Sequence, residues 1–397
     1  MIGEWGRPLL TLLFAGASLA AGAVHAQQIL RPEPPPGHVA GMFGDAMTTW
    51  KGELGVLSAS TPGLVSIYTR SGGAWHAVQH MPAEPRFSMY RLAMGETWLA
   101  IATRDIGATG WPNYVDMYRR TAAGWSFAQR LNSPAPSFNG YVRNLVVSDS
   151  SIAISLGEWS ANDVMVRSRV YTYTLEGELW GEARELVPPF DAPLFGEVMA
   201  ANAHMLVVGD PTFFSGGTRF AISTFVREND EWRFASSLGA SIPDGYAFGR
   251  AMALCGSRLV VSTTGRTSGA SPPVQGYVTV YHGGPESWVA DGAPIVTIGG
   301  PDPTFGSSLA CSESTLAIRS TRTKGAYALS FDGDRQVRQY IVTDPEASSG
   351  GFEVAVAGGD LFIGDPHGPW LSGAPQNDGA VYVYPGVGEF ILIQGFD

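Results

Sequence analysis

Short apolar runs recur along this chain, and each is followed by a run in which large and small residues alternate. The apolar runs are Leu54-Gly-Val-Leu-Ser58, Leu99-Ala-Ile-Ala-Thr103, Ile152-Ala-Ile-Ser155, Leu206-Val-Val-Gly-Asp210, Leu259-Val-Val-Ser-Thr263, Leu316-Ala-Ile-Arg-Ser320 and Leu361-Phe-Ile-Gly-Asp365. Their followers are Leu64-Val-Ser-Ile-Tyr68, Tyr114-Val-Asp-Met-Tyr118, Val170-Tyr-Thr-Tyr173, Phe220-Ala-Ile-Ser-Thr-Phe225, Tyr277-Val-Thr-Val-Tyr281, Ala326-Tyr-Ala-Leu-Ser330 and Ala380-Val-Tyr-Val-Tyr384. Runs this short, rich in β-branched and aromatic residues, are strands. A weaker strand follows each pair, usually starting at a Trp: Trp75, Trp125, Trp180, Trp232 and Trp288. The sixth copy offers Val337 to Val342 there, and the seventh Phe390 to Ile393. An aromatic leads each copy. Phe-Gly stands at 43–44, 195–196, 248–249 and 305–306, with the Leu of the apolar run eleven residues after each Phe. Degenerate copies begin at Phe87 or Tyr90, at Phe138 or Tyr141, and at Phe352.

The copies number seven, and the 371 residues after position 26 allow 53 for each. That suffices for four short strands and their loops. A single four-stranded sheet cannot bury both faces, but seven set radially about an axis bury each face against a neighbour. The fold class is therefore all-β, a seven-bladed β-propeller of four-stranded antiparallel blades over residues 41–397. Two stacked sandwiches are the alternative, and they do not explain the repeat length. With 50 Gly and 27 Pro the chain is turn-rich, and only 15% of it is charged. Two Cys exclude a disulfide scaffold, and a net charge of −11 argues against a nucleic-acid partner.

Residues 1–26 have the features of a cleavable signal peptide: Arg7, an uncharged stretch from Leu9 to Val24, and small residues in Val24-His-Ala26. The stretch is too short to span a bilayer. Cleavage before Gln27 predicts a secreted or periplasmic protein with no transmembrane segment after cleavage. Residues 27–40, which hold Arg31-Pro-Glu-Pro-Pro-Pro-Gly37, are expected to be a Pro-rich linker.

The repeated order resembles the FG-GAP family, the seven-bladed propeller of integrin α-chain heads and of many exported bacterial proteins. Four copies keep Phe-Gly. Leu206-Val-Val-Gly-Asp-Pro211 and Leu361-Phe-Ile-Gly-Asp-Pro366 approach the middle element, and Gly276-Tyr-Val-Thr-Val-Tyr281 and Gly379-Ala-Val-Tyr-Val-Tyr384 match the last. The resemblance implies a bacterial binding or interaction module. The calcium that integrin-type blades often carry is not expected. The corresponding turns, Ala203-His204, Gly256-Ser-Arg258 and Ser312-Glu-Ser314, lack three oxygen ligands at alternate positions, and Asp332-Gly-Asp334 falls elsewhere. Neither metal nor cofactor is predicted.

Candidate chemistry is sparse. His76 and His80 fall on one strand, too far apart for one ion, and His367 has no identifiable catalytic partner. No nucleophile elbow, phosphate loop or zinc motif occurs. Cys255 and Cys311 occupy nearly the same place in consecutive copies and are either bridged or two buried thiols. Asp45 and Glu197 each follow a Phe-Gly and are expected near the axis. They line a hydrated channel or, alternatively, serve a polysaccharide-acting enzyme as an acid pair. The loops between second and third strands fall on one face. They carry Trp111, Tyr114, Trp159, Phe213, Phe214 and Trp370, with Asn, Asp and Ser beside them. Such aromatics suit a glycan or protein ligand, or else fold back over the blade tips. The expectation is an exported, non-catalytic binding module using that face.

Overall fold

The computed structural model describes residues 28–36, 41–109, 112–134, 142–159, 165–211, 218–241, 246–265, 275–297, 300–312, 314–320, 325–332, 335–342, 353–366 and 378–387. These residues form seven antiparallel sheets and no helix. Blade 1 has the strands Phe43–Trp50, Glu53–Ser58, Leu64–Ser71 and Ala74–Pro82, and blade 2 has Phe87–Met94, Trp98–Asp105, Asn113–Thr121 and Gly124–Asn132. Blade 3 has Val142–Val147, Ser151–Trp159 and Met165–Glu176, with its outer strand split into Leu179–Trp180 and Arg184–Leu186. Blade 4 has Val198–Ala201, Met205–Gly209, Thr218–Glu228 and Glu231–Ser241, and blade 5 has Tyr246–Cys255, Arg258–Gly265, Tyr277–Gly284 and Ser287–Ala290. Blade 6 has Leu309–Cys311, Thr315–Ser320, Gly325–Asp332 and Arg335–Val342. In each, strands pair in chain order from hub to rim. The Trp expected to open the outer strand is its second residue in blades 1 to 5.

Blade 7 is built from both ends of the chain. Glu353–Ala357, Asp360–Asp365 and Ala380–Tyr384 supply three strands, and Gln28–Leu30 supplies the fourth. Gln28 pairs with Val383, Ile29 with Tyr382 and Leu30 with Val381. Residues 390–393, expected in that place, lie outside the described residues. The segment read as a Pro-rich spacer thus begins with a strand that closes the ring. Pairing buries Leu30 to 4% exposure and covers the edge of an apolar strand that would otherwise face water.

Burial follows the radial arrangement. The described buried residues fall into seven apolar clusters, one at each interface between neighbouring blades, including that of blade 7 with blade 1. The Phe-Gly pairs act at these interfaces. Phe43, Phe195, Phe248 and Phe305 are buried, and the glycines after them all have positive φ, from +79° to +94°. A Cβ on Gly306 would stand 2.8 Å from both Ser262 Cβ and Val278 Cγ2 of blade 5. The motif therefore needs glycine twice over, for backbone sign and for the close approach of one blade to the previous one.

Two repeated hydrogen-bond devices join the blades. At the rim, Gln28, Gln79 and Gln129 each bond both backbone groups of a Trp in the next blade: Trp75, Trp125 and Trp180, at 2.7–3.1 Å. At the hub, the unpaired edge of each inner strand faces the channel and needs partners. Met47 N–H donates to Glu353 Oε2 (3.0 Å), Met94 N–H to Thr48 Oγ1 (3.1 Å) and Val354 N–H to Ser308 Oγ (3.3 Å). Each acceptor belongs to the adjacent blade. Cys255 and Cys311 form a disulfide between the inner strands of blades 5 and 6, with Cα atoms 5.6 Å apart.

Candidate functional site

Each inner strand begins on the face that carries the loops between second and third strands. Its first residues therefore ring the channel mouth. In blades 1, 2, 3 and 5 the register slips just there, between Phe43 and Ala46, Met89 and Arg91, Val142 and Asn144, and Phe248 and Met252. A bulge leaves extra residues unpaired and re-aims their side chains. Asp45, Arg143 and Arg250 lie within these bulges, and Glu197 directly precedes the inner strand of blade 4.

Glu197 is bound by a guanidinium. Arg143 Nη2 donates to Glu197 Oε1 at 2.5 Å and Arg143 Nε to Oε2 at 3.2 Å, a fork-to-fork pair. The two side chains are only 20% and 10% exposed. Arg250 approaches the same carboxylate at 3.9 Å with 48% of its own side chain exposed. Arg91 donates Nε to the Arg143 carbonyl (3.2 Å) and Nη1 to the Tyr90 carbonyl (2.8 Å), so its head spans blades 2 and 3.

Asp45 and Glu197 do not meet as an acid pair among these contacts. The carboxyl in the field of Asp45 is Glu353, which opens the inner strand of blade 7. Glu353 is half-buried in the channel wall, and that burial pushes its carboxyl above the ordinary range. The Met47 N–H, Arg91 and Arg319 oppose the shift, while Asp45 adds to it. Arg319, in the second strand of blade 6, is lowered by burial against the pull of Glu353, Asp302 and Asp365. Below the mouth lies a cavity of about 290 Å3 between the inner strands of blades 1, 4, 5, 6 and 7. Glu353, Thr48, Ala201, Ala253, Leu254 and Cys311 are among its walls.

The loop aromatics divide. Trp111, Phe213, Phe214 and Trp370 lie outside the described residues, as does the side chain of Trp159, whose backbone ends the second strand of blade 3. Tyr114 is half-buried. Its ring meets Phe87 edge-on at 6.0 Å between centroids, and the Arg130 guanidinium lies 5.0 Å from it. Arg130 in turn forks onto the buried Asp116 at 2.6 and 2.8 Å. Tyr114 is thus part of a stack that ties loop base to blade 2. Arg91, Arg143, Arg250 and Glu353 were not singled out from the sequence. The available signal was their place, one to four residues beyond the aromatic that leads each copy.

No protein-family profile and no curated protein matches the chain. Solved structures do. A chain of the mitotic checkpoint complex is similar at 10% identity over 97% of this chain and 99% of its own, with a TM-score of 0.51. Hsv2 of Kluyveromyces lactis is similar at 13% identity over 81% and 89%, also with a TM-score of 0.51. A proposed 6-phosphogluconolactonase of Bacteroides fragilis shares 10% identity over 74% and 82%, with a TM-score of 0.48. At such identities the first two likenesses speak for the fold alone. With the blades traced above, they identify the chain as a seven-bladed β-propeller.

Proposed function

We propose that this chain is an exported, FG-GAP-like binding module that holds a glycan or protein on the face carrying the loops between second and third strands, without catalysis. The observation that carries this is the state of Glu197. One of the two acids a hydrolase would use is held at both oxygens by Arg143, inside the ring of charges on that face. Hydrolysis of a glycosidic bond needs two carboxyls facing one substrate, one of them a proton donor. A carboxylate whose two oxygens both accept from one guanidinium is held in an ion pair rather than turned toward a substrate. Secretion or periplasmic residence rests on residues 1–26, and the FG-GAP assignment on the four Phe-Gly glycines and their positive φ.

The test is binding of the purified exported chain to a glycan panel and to envelope extracts, with the same fractions assayed for released products. Saturable binding that is lost in Trp111→Ala and Trp370→Ala, with no product, supports the module. The second reading, a polysaccharide-acting enzyme, is favoured by one observation: Asp45 adds to the upward shift of the Glu353 carboxyl. Product release abolished by Asp45→Asn and kept in the Trp variants would decide for it.

A further inference from the structure

We infer that the channel cavity takes one end ring of an amino-sugar glycan, with the free ammonium of that ring paired to Glu353. This rests on the glycan reading above and names its ligand class. Glu353 is the one charged side chain among the walls of the cavity. Its Oε2 accepts from Met47 N–H at 3.0 Å, and its Oε1 accepts no hydrogen bond among the described residues. Burial already raises this carboxyl, because nothing in the cavity replaces the water its charge has lost. An ammonium at Oε1 supplies both the opposite charge and the donors.

The arginines nearby are committed elsewhere. Arg143 holds both oxygens of Glu197, and Arg250 approaches the same carboxylate at 3.9 Å. Arg91 donates to two carbonyls, and Arg319 is in the field of Asp302 and Asp365 as well as Glu353. None of the four forms an ion pair with Glu353 among the described residues. With Asp45, the acids named here are five against four arginines, in a chain of net charge −11. Neither the opening nor the molecule as a whole repels a cation.

The other walls suit a ring with hydroxyls. The cavity, about 290 Å3, is at the small end of ligand sites, which run from about 300 to 1,000 Å3, so it admits one ring rather than a chain. Alanines at 201, 253 and 310 keep that space open. Thr48 Oγ1 and Ser308 Oγ accept the backbone N–H of Met94 and Val354, and each hydroxyl keeps its own proton to donate. On blades 4 and 6, Asn202 N–H donates to Met205 C=O and Ser312 N–H to Thr315 C=O, which closes the turns. Alternation along the ladder then turns the backbones of Ala201 and Cys311 to the channel. These groups pair with ring hydroxyls, whereas a lysine side chain offers the same ammonium and leaves them without partners.

The experiment titrates the exported chain with the glucosamine trimer, the N-acetylglucosamine trimer and cellotriose by calorimetry at one ionic strength. The amine is expected to bind at least ~10-fold more tightly than the other two, the scale of one charged hydrogen bond. That comparison needs no variant. Glu353→Gln, which still accepts from Met47 N–H, should weaken the amine by a similar factor and the other two less, once melts have shown that it folds. Glu178→Gln, an exposed acid in the turn between third and fourth strands of blade 3, controls for net charge and should change nothing. Equal binding of the amine and N-acetylated trimers, or equal responses to Glu353→Gln and Glu178→Gln, overturns the ammonium site, while glycan capture sensitive to Trp111→Ala leaves the module standing. Failure of all three saccharides, with binding of cadaverine that Glu353→Gln abolishes, overturns the sugar and keeps a module that takes a lysine of a protein ligand. Failure of every ligand overturns both.

Discussion

Replacing Gly196 by alanine tests the role assigned to Phe-Gly. Gly196 has φ +94°, and a Cβ there would overlap Val170 Cγ2 and stand 2.7 Å from Ser155 Cβ, both in blade 3. The left-handed backbone costs an alanine about 1–2 kcal/mol. Forcing a methyl into a packed interface adds about 1–3 kcal/mol. The sum, roughly 2–5 kcal/mol, divided by an unfolding entropy of about 2.1 cal/mol/K per residue, lowers Tm by about 3–6 °C for a chain of this length. Gly52 supplies the control: its φ is +85°, but nothing lies within 4 Å of the added Cβ. Gly52→Ala should show the backbone cost alone. The assay is calorimetric or circular-dichroism melting of Gly196→Ala, Gly52→Ala, Val170→Ala and the Gly196→Ala/Val170→Ala pair. Shortening Val170 should recover at least ~0.5 kcal/mol in the cycle. Equal losses at Gly196 and Gly52, with no coupling to Val170, would refute close blade approach as the reason for the motif.

Three further outcomes are expected. Because burial raises the Glu353 carboxyl in the folded chain, the folded state binds the extra proton, and stability falls as pH rises from the unfolded value of about 4.3 through the folded one. Glu353→Gln, which still accepts from Met47 N–H, should therefore gain in Tm relative to the parent as pH rises, seen in melts across that window. Reducing Cys255–Cys311, whose separation is 56 residues, should cost at most about 4 kcal/mol by loop entropy, read as a lower denaturant midpoint in dithiothreitol. Gln129→Ala removes two bonds to the Trp180 backbone and should destabilise by about 1–3 kcal/mol. Hydrogen exchange should then quicken at the interface of blades 2 and 3.

The blades were legible because each imposes the same local demand. Eleven residues from Phe to Leu is one loop entrance, one inner strand and one tight turn, so spacing survives where identity drifts. The charged mouth was half legible. Asp45 and Glu197 follow a Phe-Gly, but Arg91 and Glu353 sit one register step further along their strands. A bulge of one residue hides that equivalence in a linear reading. Which acid meets which arginine depends on neighbours more than fifty positions away, as with Arg143 and Glu197. The closing strand was not legible. Three residues beside a proline run carry no periodicity, although Gln28 repeats the part played by Gln79 and Gln129 four residues after Trp75 and Trp125.

Closure at blade 7 makes that sheet a report on the integrity of the chain. The other six can form from consecutive hairpins, each paying only local loop entropy. Blade 7 needs residue 28 and residue 383 at once. A chain cut anywhere near its start leaves Ala380-Val-Tyr-Val-Tyr384 with one edge uncovered, in a segment that is wholly buried when the ring is sealed. Such a segment, β-prone and uncharged, is what cross-β assembly recruits. Damage at the first strand should therefore surface at the opposite terminus, as self-association between chains through an edge that intact molecules never present.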